Sequence, residues 1–169
     1  MKGFLVDTNV LSELRRPRCN VSVADFALSQ PDRLMFTTEL NIAEIRFGRD
    51  LMQDALRQRE IDVWLETSIR PWFSGRILPL TEDAVVTWRH IVEKGRSSGY
   101  TFPEPDTLIA AIAIEHELIV VTRDTSPYVK AGTDVLDPWS GRFISASGRT
   151  HDSASLANPA LLQILESFL

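Results

Sequence analysis

The chain has 169 residues, 44% hydrophobic and 24% charged, which is typical of a single globular domain. Its formal net charge of −5 argues against a protein that coats nucleic acid nonspecifically. The charge does not exclude an enzyme that acts on nucleic acid and has local arginines beside an acidic centre. The N-terminus does not read as a signal peptide, and no apolar run approaches the roughly 18 residues that span a bilayer. With Cys19 as the single cysteine, we expect a cytoplasmic protein without membrane contact.

Apolar strands and capped helices alternate along the chain. The predicted strands are residues 3–6, 34–37, 76–80, 118–122 and 133–136. The predicted helices are a short one capped by Thr8 or Asn9, then 21–28, 39–52, 53–64, one from the Thr81 cap to Gly95, and 106–117, with Pro105 at the first position of the last. This alternation predicts an α/β fold with a parallel sheet and helices on both faces.

The last part of the chain has a different composition. Residues 145–158 are rich in Ser, Ala and Gly and lack a hydrophobic period, which predicts a linker or disorder. Asn158 and Pro159 would then begin a short helix over residues 160–169. Docking on its own domain, or fraying, is the simpler interpretation of that helix, and binding of a partner is the alternative. We therefore divide the chain into a domain of residues 1–143 and a tail of residues 144–169.

Four acidic residues stand where the pattern calls for apolar or neutral side chains. Asp7 and Asp124 follow the first and fourth predicted strands, and ligands collect at the carboxyl ends of strands in open parallel sheets. Asp106 opens the most apolar helix, whose N-terminus we expect to point into a pocket. Each aspartate alone is also explained as a cap. These three aspartates and Glu44, taken together, favour a divalent cation, and oxygen ligands suit Mg²⁺ or Mn²⁺.

Glu44 is the acid that helix geometry singles out. Four apolar side chains of its predicted helix recur every three or four residues and would form one buried stripe that includes Glu44. These side chains are Leu40, Ala43, Phe47 and Leu51. Since a surface glutamate would avoid such a stripe, we expect Glu44 to face a groove rather than open solvent.

The segments around these acids resemble a known family. They read Leu5-Val6-Asp7-Thr8-Asn9, Asn41-Ile42-Ala43-Glu44, Pro105-Asp106-Thr107-Leu108, Thr122-Arg123-Asp124 and, beyond them, Val135-Leu136-Asp137-Pro138-Trp139. Their order and separation resemble PIN-domain ribonucleases, and more narrowly the VapC toxins and the FitB-like branch of type II toxin–antitoxin systems. No single segment is specific, whereas the ordered set is. Pro127 stands where many members carry another acid.

The resemblance implies a PIN-like three-layer fold with a parallel five-stranded sheet flanked by helices. It also implies a Mg²⁺- or Mn²⁺-dependent endoribonuclease in which a metal-activated water hydrolyses RNA and leaves a 5′-phosphate and a 3′-OH. The catalytic residues and metal ligands would be Asp7, Glu44, Asp106 and Asp124. Thr8 and Asn9 would orient those carboxylates.

The implied partners are an RNA substrate, a small antitoxin that carries any DNA contact, and a second copy of the chain, in a homodimer or a larger toxin–antitoxin assembly. Arginine binds phosphate through paired N–H donors, so Arg15, Arg46 and Arg123 are the candidate RNA-binding residues. Two other functions stay open at this point. One is a metal-dependent nuclease that acts on single-stranded DNA, and the other is a catalytically inactive PIN-like module that binds a partner.

Overall fold

The computed structural model describes residues 2–152 and 155–168. Its strands are β1 (Gly3–Val6), β2 (Met35–Thr38), β3 (Ile77–Leu78), β4 (Leu118–Val121), β5 (Val135–Asp137), β6 (Arg142–Ile144) and β7 (Thr150–Asp152). Its α-helices are α1 (Thr8–Leu14), α2 (Val21–Ser29), α3 (Glu39–Asp50), α4 (Ala55–Trp64), α5 (Arg70–Trp72), α6 (Glu82–Ser97), α7 (Asp106–Glu115), α8 (Thr125–Ala131) and α9 (Leu161–Glu166). A 3₁₀ turn covers Asp32–Leu34, and a π-helical segment, Leu65–Ile69, joins α4 to α5.

The strands form one sheet in the order β3-β2-β1-β4-β5-β6-β7. The first five in that order are parallel, as expected for the α/β class, while β6 and β7 are antiparallel additions that the sequence did not predict. Strand β1, the middle one of the five parallel strands, is buried along its whole length, which explains its continuous apolar sequence. Val6 pairs with Val121, so the residues that follow β1 and β4 meet at one edge of the sheet.

Helices cover both faces of the sheet. Phe4 and Val6 belong to a core cluster with side chains of α1 to α4 and α9, whereas Leu5 belongs to a second cluster with α6, α7 and α8. Successive side chains of a strand point to opposite faces, so these two clusters are the two helical layers of a three-layer fold. Within the described residues, no helix is both long and apolar enough to cross a membrane.

The buried face of α3 is not the one that the sequence suggested. Its buried residues are Asn41, Ile42 and Ile45, whereas Phe47 and Leu51 are 65% and 69% exposed. This helix has apolar side chains on two faces, and hydrophobic spacing alone selected the wrong one. Glu44 is next to the true buried face and is half-buried.

The cap of α1, the start of α7 and the whole of α8 also differ from the prediction. The N-cap of α1 is Asp7, whose side chain accepts from the Thr8 N–H, rather than Thr8 or Asn9. Pro105 precedes α7 as its N-cap residue instead of occupying the first helical position. The helix α8 was not predicted; it ends at Gly132, whose φ of 93° lies in the left-handed region.

The C-terminal part that the structure describes is folded onto the domain, in contrast to the linker or disorder predicted for residues 145–158. Residues 153, 154 and 169 of the predicted tail lie outside the described residues. A turn closed by the Ser145 N–H, which donates to the Arg149 carbonyl at 2.8 Å, leads from β6 to β7. Leu161 and Leu165 of α9 are fully buried in the first core cluster. Gln30 Nε2 donates to two carbonyl groups of this segment at 3.0 Å. The division at residue 143 therefore falls inside β6.

Candidate active site

Asp7 lies at the carboxyl edge of the sheet, directly after β1, and is 6% exposed. Four donors reach its carboxylate. Oδ1 accepts from the Thr8 N–H at 2.7 Å and Asn41 Nδ2 at 3.0 Å, and Oδ2 accepts from Asn9 Nδ2 at 3.0 Å and Thr122 Oγ1 at 2.7 Å. Burial nevertheless raises the pKa of Asp7, against the lowering effect of those hydrogen bonds. The site therefore fixes the orientation of this carboxylate without offsetting its negative charge.

Glu44 joins the same network through the first turn of α1. Thr8 Oγ1 donates to Glu44 Oε2 at 2.6 Å and accepts from Asn41 Nδ2 at 3.0 Å. Asn41 is held in turn by the capping box of α3, in which its Oδ1 accepts from the Thr38 N–H at 3.1 Å. Burial raises the pKa of Glu44, and the nearby charge of Asp7 raises it further. The structure thus brings Glu44 beside Asp7, as predicted, although by a different helix face.

Asp106 begins α7, whose apolar residues are buried in the second core cluster. Burial is the largest cause that raises its pKa to about 6, and the charges of Asp7, Glu44 and Asp124 add to it in that order. Such coupling requires the four acids to share one region of the molecule. The three most strongly coupled carboxyls, Asp7, Glu44 and Asp106, are called the acidic cluster below.

Asp124 lies at the outer rim of this region and is exposed. Its backbone N–H donates to Thr122 Oγ1 at 3.1 Å, and the same hydroxyl donates to Asp7 and accepts from Asn9 Nδ2 at 2.7 Å. Thr122 is fully buried, and its hydrogen bonds with Asp7 and Asn9 connect the end of β4 to the end of β1. Asn9 therefore acts in the network and not as a helix cap.

The Tyr128 side chain approaches the acidic cluster from α8. Its hydroxyl is buried and makes no hydrogen bond of normal geometry with the described residues, yet it is close enough to Asp7 to lower the pKa of that carboxyl. Burial raises the pKa of Tyr128 well above its ordinary value, followed by the charges of Asp7, Asp106 and Glu44. The hydroxyl thus remains a protonated donor with spare capacity facing the acids.

The donor set of this region suits a hard divalent cation. Carboxylate and hydroxyl oxygens surround it, and the cluster has no resident positive charge, since no ion pair of the described residues involves Asp7, Glu44 or Asp106. In the arrangement seen, no three acidic, His or Cys side chains among the described residues are placed to hold one ion between them. Metal binding by the whole cluster therefore requires side-chain movement, and Glu44 and Asp106 are half-buried whereas Asp7 is buried.

The three candidate arginines occupy different surroundings. Arg15 lines a groove of about 760 Å³ together with Thr8 and Glu44, and Arg123 donates its backbone N–H to Asn9 Oδ1 at 3.3 Å. Arg46 instead lines a separate depression with Glu39 and residues of the opposite side of α3. Two of the three are therefore next to the acids, and Arg46 is not.

Sequence reasoning did not assign Asn41, Thr122 or Tyr128 to the site. Asn41 follows a predicted helix cap by three residues, the position from which a side chain reaches back to the cap. Thr122 is the last residue of the clearest predicted strand, a position where a hydroxyl is equally common in a plain turn. Tyr128 lies on the helix that was not predicted, so nothing in the local pattern directed it inward.

Residues 4–132 match the PIN domain, and the chain belongs to the PIN domain family, as predicted. It is 33% identical over 136 residues to VapC ribonuclease Y4jK of Sinorhizobium fredii, a match that covers 80% of this chain and 97% of that protein. It is 35% identical over 136 residues to Toxin FitB of Neisseria gonorrhoeae, with 80% and 98% covered. The predicted likeness to VapC and FitB toxins is thereby confirmed.

Solved structures support the fold. The crystal structure of FitAcB from Neisseria gonorrhoeae matches with a TM-score of 0.76 and 34% identity, covering 80% of this chain and 98% of that chain. FitAB bound to an IR36 DNA fragment matches with a TM-score of 0.74 and 33% identity, with 80% and 95% covered. The predicted PIN-like α/β fold is confirmed, with two more strands than the five expected.

Proposed function

We propose that this protein is a metal-dependent endoribonuclease and the toxin of a toxin–antitoxin pair. The observation that carries the proposal is the acidic cluster, in which the pKa of Asp7, of Glu44 and of Asp106 is raised while no cation of the described residues neutralises them. Buried carboxylates that the protein itself does not neutralise are expected where a bound ligand supplies the compensating positive charge. A nuclease of the PIN family uses such a centre to act on a phosphodiester.

Each residue has a distinct part in this proposal. Asp7, Glu44, Asp106 and Asp124 would hold Mg²⁺ or Mn²⁺, with Asp7 fixed in place by its four donors. Thr8 orients Glu44 by its hydroxyl hydrogen bond. A bound divalent cation supplies an acidified water and positive charge beside the phosphate. The cation also reduces the repulsion between these acids and the phosphates of the substrate.

The partners are proposed from the relatives and from the surface. The similar structures are those of FitAcB and of FitAB bound to an IR36 DNA fragment, so we infer a small antitoxin partner through which any DNA contact is made. Several exposed apolar side chains of α3, α4 and the loop between them offer a protein-binding surface. They are Phe47, Leu51, Leu56 and Val63. A homodimer is the other assembly that we infer.

An end-mapped digest of RNA tests the activity. The protein should cut RNA with Mg²⁺ or Mn²⁺ and not with EDTA, leaving 5′-phosphate ends, and a single-stranded DNA of the same sequence should stay intact. Asp106→Asn should lose most of the activity, whereas Glu39→Gln, an exposed acid of α3 outside the groove, should keep it. Cleavage in EDTA, or equal activity of Asp106→Asn, would overturn the proposal. Preferential cleavage of the DNA would favour the single-strand DNA nuclease instead.

A further inference from the structure

Two arginine–tryptophan pairs lie near the acidic cluster. The Arg15 guanidinium carbon is 5.8 Å from the ring centroid of Trp64, and that of Arg123 is 5.5 Å from the ring centroid of Trp139. Both arginines are exposed, while both tryptophans are half-buried and pack against the first core cluster. Each pair therefore combines a ring anchored in the fold with a cation at the surface.

The two pairs are on opposite sides of Asp7. Arg15 is the C-cap residue of α1, the helix that Asp7 begins, and it shares the 760 Å³ groove with Trp64 and Glu44. This groove is on the side of β1 where β2 and α3 lie. Arg123 follows β4 and Trp139 follows β5, which are the next two strands on the other side of β1. A chain that crosses the acids along this edge would pass from one pair to the other.

The guanidinium groups of these pairs are available for an anion. The neighbouring Arg16 is held by Glu13 at 2.8 Å, and Arg49 is held by Asp50 and Asp62 at 2.8 and 2.7 Å. Among the described residues, neither Arg15 nor Arg123 makes an ion pair. Contact of a guanidinium with an aromatic ring leaves its in-plane N–H donors free for two-pronged binding of a phosphate.

We propose that the Arg15–Trp64 and Arg123–Trp139 pairs bind backbone phosphates of a single-stranded RNA on the two sides of the acidic cluster. This inference rests on the proposed ribonuclease function and names the residues that hold its substrate. In a chain of net charge −5, phosphate affinity has to come from local cations, and these two lie on opposite sides of Asp7. Trp64 and Trp139 are positioning residues, which limit the motion of the arginines and so reduce the entropy lost on binding.

The binding test uses a fluorescein-labelled single-stranded RNA, in EDTA so that it is not cut, with anisotropy measured over a salt series. Arg15→Gln and Arg123→Gln should each weaken binding about tenfold, as expected for the loss of a charged hydrogen-bonded contact. Each should also reduce the slope of log K against log salt by about 0.7, the value for one phosphate of a single strand. The matched control is Arg89→Gln, because Arg89 is 5.6 Å from the Trp88 ring on α6, outside the groove.

The role of the tryptophans is tested by ring rescue. Trp139→Leu should raise the KM for RNA about threefold with kcat unchanged, while Trp139→Phe, which keeps an aromatic face, should stay within error of the parent. Circular dichroism melts identify a variant that merely unfolds. If Trp139→Leu is such a variant, the decisive comparison is that of the RNA affinity of Trp139→Phe with that of Arg123→Gln.

The outcomes separate this inference from the function on which it rests. If the unmodified protein does not cut RNA with Mg²⁺, the proposed function fails whatever the arginine variants do. If it cuts RNA but Arg15→Gln and Arg123→Gln bind it like Arg89→Gln, the inference is overturned while the proposed function stands. Equal losses of kcat in Trp139→Leu and Trp139→Phe, with KM unchanged, would overturn the positioning role of Trp139.

Discussion

Replacement of Asp106 by asparagine should stabilise the metal-free protein at neutral pH and leave its stability unchanged near pH 4. In the folded protein the pKa of Asp106 is raised from 3.8 to about 6, first by burial and then by the charges of Asp7 and Glu44. Between those two pH values the folded state binds more protons than the unfolded chain. The parent protein therefore loses stability as the pH rises through this window, and the full penalty is present above about pH 6.

The size of the effect follows from the shift and from the exposure of the side chain. Taken alone, the shift corresponds to about 3 kcal/mol at 1.36 kcal/mol for each pH unit. Asp106 is only half-buried, and water screens part of the repulsion, so we expect about 1–2 kcal/mol. For a protein of this size that gain corresponds to roughly 3–6 °C in the melting temperature.

The assay is urea unfolding with thermal melts in EDTA from pH 4 to 8, for the parent protein and the Asp106→Asn variant. The difference between the two should grow through the window from 3.8 to about 6 and then stay constant. Added Mg²⁺ should stabilise the parent protein more than the variant, since a ligand that binds the folded state raises its stability. Parallel pH curves, or a variant less stable than the parent at pH 7.5, would refute the electrostatic reasoning.

Other predictions concern the network, the cluster and the assembly. Thr122→Val should cost about 1–3 kcal/mol in urea unfolding because Asp7 loses a buried donor, whereas Thr122→Ser should cost less; equal costs would contradict the network. Glu44→Gln should lose most RNA cleavage without losing stability in EDTA, and a cleavage rate equal to that of Glu39→Gln would remove Glu44 from the site. Leu161→Ala should cost about 2–5 kcal/mol by leaving a cavity in the core, and a cost below 1 kcal/mol would show that α9 is dispensable. Light scattering of the purified chain should give a dimer, and a stable monomer at micromolar concentration would contradict that proposal.

The part of the site that the sequence could predict depends on backbone position. Asp7 follows an apolar strand and Asp106 begins an apolar helix, and parallel topology alone brings such positions to one edge. The same reasoning yields the five parallel strands, because each is a short apolar run bounded by turn residues. These inferences need no knowledge of how any side chain packs.

The part that could not be predicted depends on packing between distant segments. Glu44 reaches the acidic cluster although Phe47 of its supposed stripe is exposed, since α3 buries the face with Asn41 instead. Asn41 and Thr122 are 34 and 115 positions from Asp7, and local propensity carries no information on such contacts. The Ser-rich composition of the tail likewise concealed β7, whose strand pairing comes from β6 and not from its own hydrophobicity.

The acids of the cluster carry like charges but are held in different ways, and this decides how variants should be interpreted. Both oxygens of Asp7 accept hydrogen bonds, so an asparagine there would turn its NH₂ group toward donors such as Asn41 or Thr122. The resulting unsatisfied contacts oppose the gain from removing a buried charge. Asp106 receives no side-chain hydrogen bond from the described residues that lowers its pKa, so asparagine removes only the charge there. Loss of cleavage in Asp106→Asn therefore reports on the charge of the cluster, whereas in Asp7→Asn it also includes the disrupted network.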